Sequence, residues 1–95
     1  MTMTFANLAF TQLLVDNGRV PITAVEEAKA RRALPSPAMR RAVRVNARVS
    51  MRAIAEDIGV SVAAVALWEV GKREPRGQNL IRYAAALRDL AEVTR

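Results

Sequence analysis

The most constraining feature of this sequence is a tight joint between two short apolar segments, Ile58-Gly59-Val60-Ser61. Gly59 can adopt a positive φ without steric cost, so the chain can reverse direction sharply at that residue. Ser61 is a preferred N-cap, because its hydroxyl accepts a hydrogen bond from a free amide in the first turn of the next helix. The joint therefore predicts one helix that ends at residue 58 and a second helix, residues 62–70, that crosses it steeply.

The residues on either side of the joint have the spacing of a helix-turn-helix. Ala55 lies four residues before Gly59 and is small enough for the two helices to cross closely. Val65 lies four residues after the Ser61 cap, at a position where an apolar side chain faces inward. A helical hairpin in another kind of core could use Gly and Ser in the same way, but the full spacing favours the helix-turn-helix.

Helix start and stop signals recur along the rest of the chain, and no alternation typical of strands is present. Thr23 and Glu26 form a capping box, and Ser36-Pro37 is a typical helix start. We therefore predict an all-α protein of six helices with short loops. The predicted ranges are residues 4–16, 24–33, 37 to about 48, 51–58, 62–70 and a last helix from residue 78 or 79.

The positions of apolar residues predict which faces of two helices are buried. The third helix carries Arg40, Arg41, Arg44 and Arg48, and its predicted inner side consists of Met39, Ala42, Val45 and Val49. The predicted inner row of the last helix consists of Leu80, Ala84, Leu87 and Ala91, flanked by Tyr83 and Leu90.

Positive charge is concentrated around the joint. The chain has a formal net charge of +6, and 13 of its 15 basic residues are arginine. Residues 37–77 contain eight basic and four acidic residues, so their net charge is +4, against +1 for each flanking part. Arginine is suited to planar, bidentate contact with phosphate. Solvated helix faces are the alternative explanation, since they would carry the same charges without any ligand.

Residue types that the sequence lacks disfavour several classes of function. The chain has no Cys and no His, which removes thiolate metal sites, thiol nucleophiles and the commonest general base. Its serines, Ser36, Ser50 and Ser61, all stand at helix starts, where capping explains them. We therefore expect that the protein is not an enzyme and has no catalytic residue, metal, cofactor or small-molecule substrate.

The longest uncharged run, residues 1–15, is shorter than the ~20 residues of a membrane span. We accordingly expect no membrane association and a cytoplasmic, nucleoid-associated protein.

One family matches this combination of residues. The segment IAEDIGVSVAAVALWEVGKREP, residues 54–75, is similar to the run LAxxLGVSxxxISxxExGxxxP of the phage-repressor helix-turn-helix family (Cro, lambda-repressor-like, XRE). NLIRYAAAL, residues 79–87, resembles the helix that follows in that family. The resemblance covers residues 37–93. It implies a lambda-repressor-like DNA-binding domain over residues 36–95, with residues 1–35 as an additional arm of two helices.

The resemblance also implies a mode of DNA binding, in which the second helix of the motif enters the major groove and its first residues reach the bases. In this sequence those positions are Val62, Ala63, Ala64 and Leu67. These side chains can touch a thymine methyl group but cannot form the bidentate hydrogen bonds that distinguish bases. Arg76 is expected to reach the minor groove, where an arginine reads groove width.

Contacts to the DNA backbone are expected on both sides of that helix, from Arg41, Arg48, Ser50, Met51, Arg52, Lys72 and Arg73. Ser50 opens a helix N-terminus, which attracts anions. Met51 occupies the position of a phosphate-contacting glutamine in the family. The resemblance further implies an internal ion pair between Arg44 and Glu69, although the two residues could also be separate surface charges.

Two functions are consistent with these features. The leading hypothesis is a small transcriptional regulator that binds double-stranded DNA, a repressor or Cro-like switch protein encoded by a phage or mobile element. The alternative is a protein-binding helix-turn-helix module, such as an antitoxin or adaptor, which the apolar recognition helix favours. Residues 5–15 carry more apolar side chains than one small helix can hide against its own domain. They pack on the domain's own core, form the seam of a homodimer, or bind another protein.

Overall fold

A computed structural model of the protein describes residues 22–94. Five helices and no strand occur in that range, which confirms the predicted all-α class. The helices are α1 (Ala24–Ala33), α2 (Pro37–Asn46), α3 (Met51–Ile58), α4 (Val62–Val70) and α5 (Gly77–Val93). The helix predicted at residues 4–16 lies outside the described residues.

Side-chain caps start the first four helices, as the sequence predicts. The hydroxyl oxygen of each cap accepts a hydrogen bond from the amide three residues later, which satisfies one of the free donors of the first turn. The caps are Thr23 (3.0 Å), Ser36 (3.4 Å), Ser50 (3.0 Å) and Ser61 (3.1 Å). Gly59 ends α3 and Gly71 ends α4, with φ values of 89° and 80°. These two left-handed residues turn the chain where a residue with a Cβ would be strained.

The core lies where α3, α4 and α5 meet. It contains Ile54, Ala55 and Ile58 from α3, Val65 and Trp68 from α4, and Tyr83 and Leu87 from α5. Trp68 and Tyr83 are in contact, with ring centroids 4.8 Å apart and ring planes tilted by 43°. Because aromatic rings contribute the largest apolar surfaces, this pair fixes how α4 sits on α5.

The predicted inner face of α2 is wrong. Met39 and Val45 are 52% and 51% exposed, whereas Arg40 and Arg44 are only 4% and 8% exposed. The reason is that these two arginines pair with carboxylates of other segments, Arg44 with the buried Glu69 and Arg40 with the half-exposed Glu74. Arg48 lies beyond the end of α2 and has a φ of 59°, unusual for a residue other than glycine.

The inner row of α5 also differs from the prediction. Leu80, Tyr83 and Leu87 are buried, so the row includes Tyr83, which was expected at its flank. Ala91, a predicted member of the row, is exposed. The tyrosine is inward because its ring completes the aromatic contact with Trp68.

Helix α1 packs along α5. Glu27 of α1 accepts hydrogen bonds from the Gly77 amide and from Arg31, both at 3.1 Å, and these bonds lower the pKa of its carboxyl. An open apolar groove of about 640 Å³ lies between α1, α2 and α5, lined by residues such as Met39, Val43 and Ile81. Within residues 22–94, each helix is too short or too polar to cross a membrane.

Candidate nucleic-acid interface

Helix α4 has one buried side and one open side. Val65, Trp68 and Glu69 are buried. On the other side Ala63 is exposed, while Val62, Ala64 and Leu67 are half-buried. The open side of α4 therefore carries no side chain that can hydrogen-bond, as the sequence suggested, and neither Ala63 nor Leu67 is sealed in the core.

A groove of about 720 Å³ lies between α4, the following loop and the start of α5. It brings together six of the residues that the sequence assigned to DNA contact: Ala63, Ala64, Leu67, Lys72, Arg73 and Arg76. We call this concavity the recognition groove. The three cations come from the loop that follows α4, and the apolar wall comes from α4 itself. A polyanionic strand would fit this arrangement better than an apolar ligand.

The remaining predicted contacts lie outside the recognition groove. Arg48, Ser50 and Arg52 are exposed around the start of α3. Met51 and Val62 are half-buried and pack against the core. Arg41 lies on the exposed side of α2, beside Val45 and Asn46. The expected phosphate contacts therefore fall in three places: the loop after α4, the start of α3, and, for Arg41, the exposed side of α2.

Arg44 and Glu69 form a buried ion pair between α2 and α4. The Nε and Nη2 atoms of Arg44 donate to the two carboxylate oxygens of Glu69, at 2.5 and 2.9 Å. A third bond runs from Arg44 Nη1 to the carbonyl of Val49, at 2.9 Å. The hydrogen bond to Glu69 raises the pKa of Arg44, which keeps the guanidinium charged. Because both side chains are less than one-tenth exposed, each needs the other to offset its desolvation.

The sequence did not predict a second buried arginine that binds a carboxylate, which lies one turn away on the same helix. We call Arg44 with Glu69, and Arg40 with Glu74, the two arginine clamps. Arg40 donates from Nη1 and Nη2 to the two oxygens of Glu74, at 3.0 and 2.8 Å. It also donates to the carbonyls of Pro35 (2.7 Å) and Trp68 (2.9 Å). The available signal was the spacing of Arg40 and Arg44, four residues apart and hence on one helix face. The choice of Glu74 as partner depends on the path of the loop, which spacing does not give.

These two clamps change how the local charge is distributed. Two basic and two acidic residues of the segment 37–77 pair with each other within the protein. Six cations remain, Arg41, Arg48, Arg52, Lys72, Arg73 and Arg76, against the two acids Glu56 and Asp57. All six are exposed, and none of them forms an ion pair with another residue in the range 22–94. The exposed surface of residues 37–77 is therefore strongly positive, and three of its cations line the recognition groove.

Comparison with known proteins identifies the family. Residues 41–93, more than half of the chain, match the helix-turn-helix family HTH_3, which is the XRE type. No curated protein and no solved structure gives a significant match. HTH_3 is a family of DNA-binding regulatory domains rather than of enzymes, and the match indicates a DNA-binding helix-turn-helix regulator. The resemblance to Cro and lambda repressor is thus confirmed, and the chain belongs to the XRE-type helix-turn-helix family.

Proposed function

We propose that the protein is a transcriptional regulator, a repressor or Cro-like switch protein, that binds double-stranded DNA with α4 in the major groove. The observation that carries this proposal is the open side of α4 beside the exposed cations Lys72, Arg73 and Arg76, which form no ion pair within the range 22–94. The family places its second motif helix in the same position. A sequence-independent attraction to phosphate would supply most of the affinity.

Sequence preference would come from three weak sources rather than from a hydrogen-bond code. Val62, Ala63, Ala64 and Leu67 can contact thymine methyl groups. Arg76 can enter a narrow minor groove, whose width depends on the base sequence. Two copies on one duplex would add the spacing of half-sites, about 34 Å or one helical turn apart. We therefore expect a modest ratio between specific and non-specific affinity.

The salt dependence of binding tests the proposal. If about six phosphates are neutralised, the slope of log K against log salt is close to −5. Fluorescence anisotropy with a labelled random duplex of about two helical turns measures this slope between about 50 and 200 mM salt. A binding constant that does not change with salt contradicts the proposal.

A matched pair of arginine variants locates the binding surface. Arg52→Ala removes an exposed cation from the first turn of α3 and should make the slope less negative by about 0.9, the value of one phosphate. Arg88→Ala removes an exposed cation from α5, outside the lining of the recognition groove, and should leave the slope unchanged. Equal effects of the two variants would mean that the net charge, not this surface, governs binding.

We further propose that the regulator acts as a homodimer, with residues 5–15 as the seam. These residues lie outside the described range, and the support is their apolar composition together with the two-fold symmetry of half-sites. Deleting residues 1–18 and measuring the mass by light scattering tests this proposal. A truncated protein that remains folded and dimeric rules out residues 5–15 as the seam.

A second candidate function is a protein-binding module, such as an antitoxin or adaptor. The specific observation in its favour is the open side of α4, which offers only apolar side chains to a partner. The random-duplex titration separates the two functions, since a protein-binding module needs no affinity for DNA. Failure to bind any duplex at low salt would favour this second function.

A further inference from the structure

Arg40 connects the start of its own helix to two parts of the molecule that lie 28 and 34 positions away in the chain. Its guanidinium bonds the link between α1 and α2 at Pro35, the last turn of α4 at Trp68, and the loop at Glu74. The Arg40 side chain is 5% exposed, and its bond to the Trp68 carbonyl is buried, whereas the Glu74 carboxylate is half-exposed. All the donor directions used are fixed by the planar fork of the arginine, which a lysine cannot reproduce.

The loop of residues 71–76 depends on this connection. Its first residues are held by the backbone, because the amides of Lys72 and Arg73 both donate to the carbonyl of Leu67, at 3.1 and 3.4 Å. Beyond them, Glu74 is the single loop side chain that hydrogen-bonds to another residue within the range 22–94. The loop that presents three cations to the recognition groove is therefore tied at its middle by one carboxylate.

Glu74 also lines the recognition groove, among Lys72, Arg73 and Arg76. An unpaired carboxylate there would repel a phosphate strand. The two hydrogen bonds from Arg40 lower the pKa of Glu74, which keeps it ionised and bound to the guanidinium. The same contact thus fixes the loop and neutralises its one acid.

We propose that Arg40 is a positioning residue for DNA binding: through Glu74 it holds the cationic loop against the recognition groove and cancels the negative charge of that carboxylate. This inference rests on the proposed DNA-binding function. It assigns a role in binding to a buried arginine that itself touches no DNA.

The variant Glu74→Gln tests the proposal, because a positioning role and a simple charge effect predict opposite changes in DNA affinity. Removing an acid from a DNA-binding surface should raise affinity if charge alone matters. If Glu74 positions the loop, affinity should fall by about fivefold at physiological salt, with a salt slope about 0.9 smaller, as for one lost phosphate contact. Glu92→Gln makes the same charge change on an exposed part of α5 and serves as the control.

Hydrogen exchange gives a readout that does not depend on DNA. In Glu74→Gln the amides of Lys72 and Arg73 should exchange faster than in the unmodified protein, whereas Glu92→Gln should leave them unchanged. Glu74 is half-exposed, and Arg40 would keep its bonds to the carbonyls of Pro35 and Trp68, so the variant should still fold, and the melting temperature verifies this. Arg40→Lys, which keeps the charge but loses the fork, should weaken DNA binding in the same direction as Glu74→Gln.

The outcomes separate the inference from the function on which it rests. Weaker binding and a smaller slope in Glu74→Gln, with normal binding in Glu92→Gln, support the positioning role. Equal or tighter binding in Glu74→Gln overturns it while leaving DNA binding intact. If the unmodified protein itself binds no duplex, the proposed function fails, and the positioning role fails with it.

Discussion

Replacing Arg44 with alanine would remove one partner of a buried ion pair and leave the other in place. Glu69, whose side chain is 4% exposed in the intact protein, would lose both of its carboxylate hydrogen bonds. The carbonyl of Val49 would lose its donor as well. The cost of such a change is set mainly by the stranded charge rather than by the missing bonds, because a buried carboxylate without a cation is strongly desolvated.

The expected loss is large relative to the total stability. Breaking a buried pair from one side costs about 3–5 kcal/mol. A chain of this length has a free energy of unfolding of roughly 5–14 kcal/mol, at about 0.05–0.15 kcal/mol per residue. For a domain of this size each 1 kcal/mol lowers the melting temperature by about 4–8 °C. Arg44→Ala should therefore lower it by at least about 12 °C.

Urea unfolding followed by tryptophan fluorescence measures this effect directly. Trp68 is the single tryptophan and lies in the core against Tyr83, so its emission reports the loss of tertiary structure. Arg41→Ala, an exposed position three residues earlier on the same helix, is the matched control and should cost less than about 0.5 kcal/mol. A loss below about 1 kcal/mol in Arg44→Ala would refute the reasoning. The double variant Arg44→Met with Glu69→Leu removes both charges and should recover most of the lost stability. A double variant that is no more stable than Arg44→Ala would also refute the reasoning.

Three further predictions concern positions where the backbone or a buried hydroxyl is under constraint. Burial raises the pKa of Tyr83 to about 12, so the fold favours the neutral phenol and should lose stability as pH rises through 10–12. Its Oη has no hydrogen-bond partner in the range 22–94, and Tyr83→Phe should abolish that alkaline loss and match or exceed the original stability at neutral pH, both measurable by urea unfolding. Gly71→Ala and Gly59→Ala should each lower the free energy of unfolding by about 1–2 kcal/mol, because both residues are left-handed. Gly71→Ala should cost more than Gly59→Ala, because its Cβ would stand 3.1 Å from a proline side chain; equal melting temperatures would contradict this. Arg48→Gly should raise stability by about 0.5–1 kcal/mol, since Arg48 is left-handed, while weakening duplex binding; a variant that binds as before would remove Arg48 from the interface.

Local signals in the sequence were sufficient for the helices and the hinge. Ser50, Gly59 and Ser61 act within three or four residues of their own positions, through caps and backbone φ, so their effects can be read without knowing the fold. The burial of Ile54, Ile58 and Val65 follows from helical periodicity for the same reason. These residues define the frame on which α4 is displayed.

The orientation of α2 could not be predicted in this way. Periodicity assigns the apolar side of a helix to the core, but α2 has apolar residues and arginines on both of its sides, with Arg40 and Arg44 inward and Arg41 outward. The inward side is chosen by Glu69 and Glu74, which lie 25 and 34 positions away in the chain from their partners. The resemblance to the family supplied the first pairing, Arg44 with Glu69, and nothing in the sequence supplied the second.

The two clamps explain how a recognition helix without polar side chains could still serve DNA binding. Arg44 holds the last turn of α4 through Glu69, and Arg40 holds the Trp68 carbonyl and the loop beyond it. The end of α4 and the backbone of the following loop are thus held in place without a ligand, which would reduce the entropy lost on binding. A protein that cannot gain affinity from base hydrogen bonds depends more heavily on such preorganised phosphate contacts. In this chain, the buried arginines would therefore position the loop and the end of α4, and the exposed cations would contact the DNA backbone.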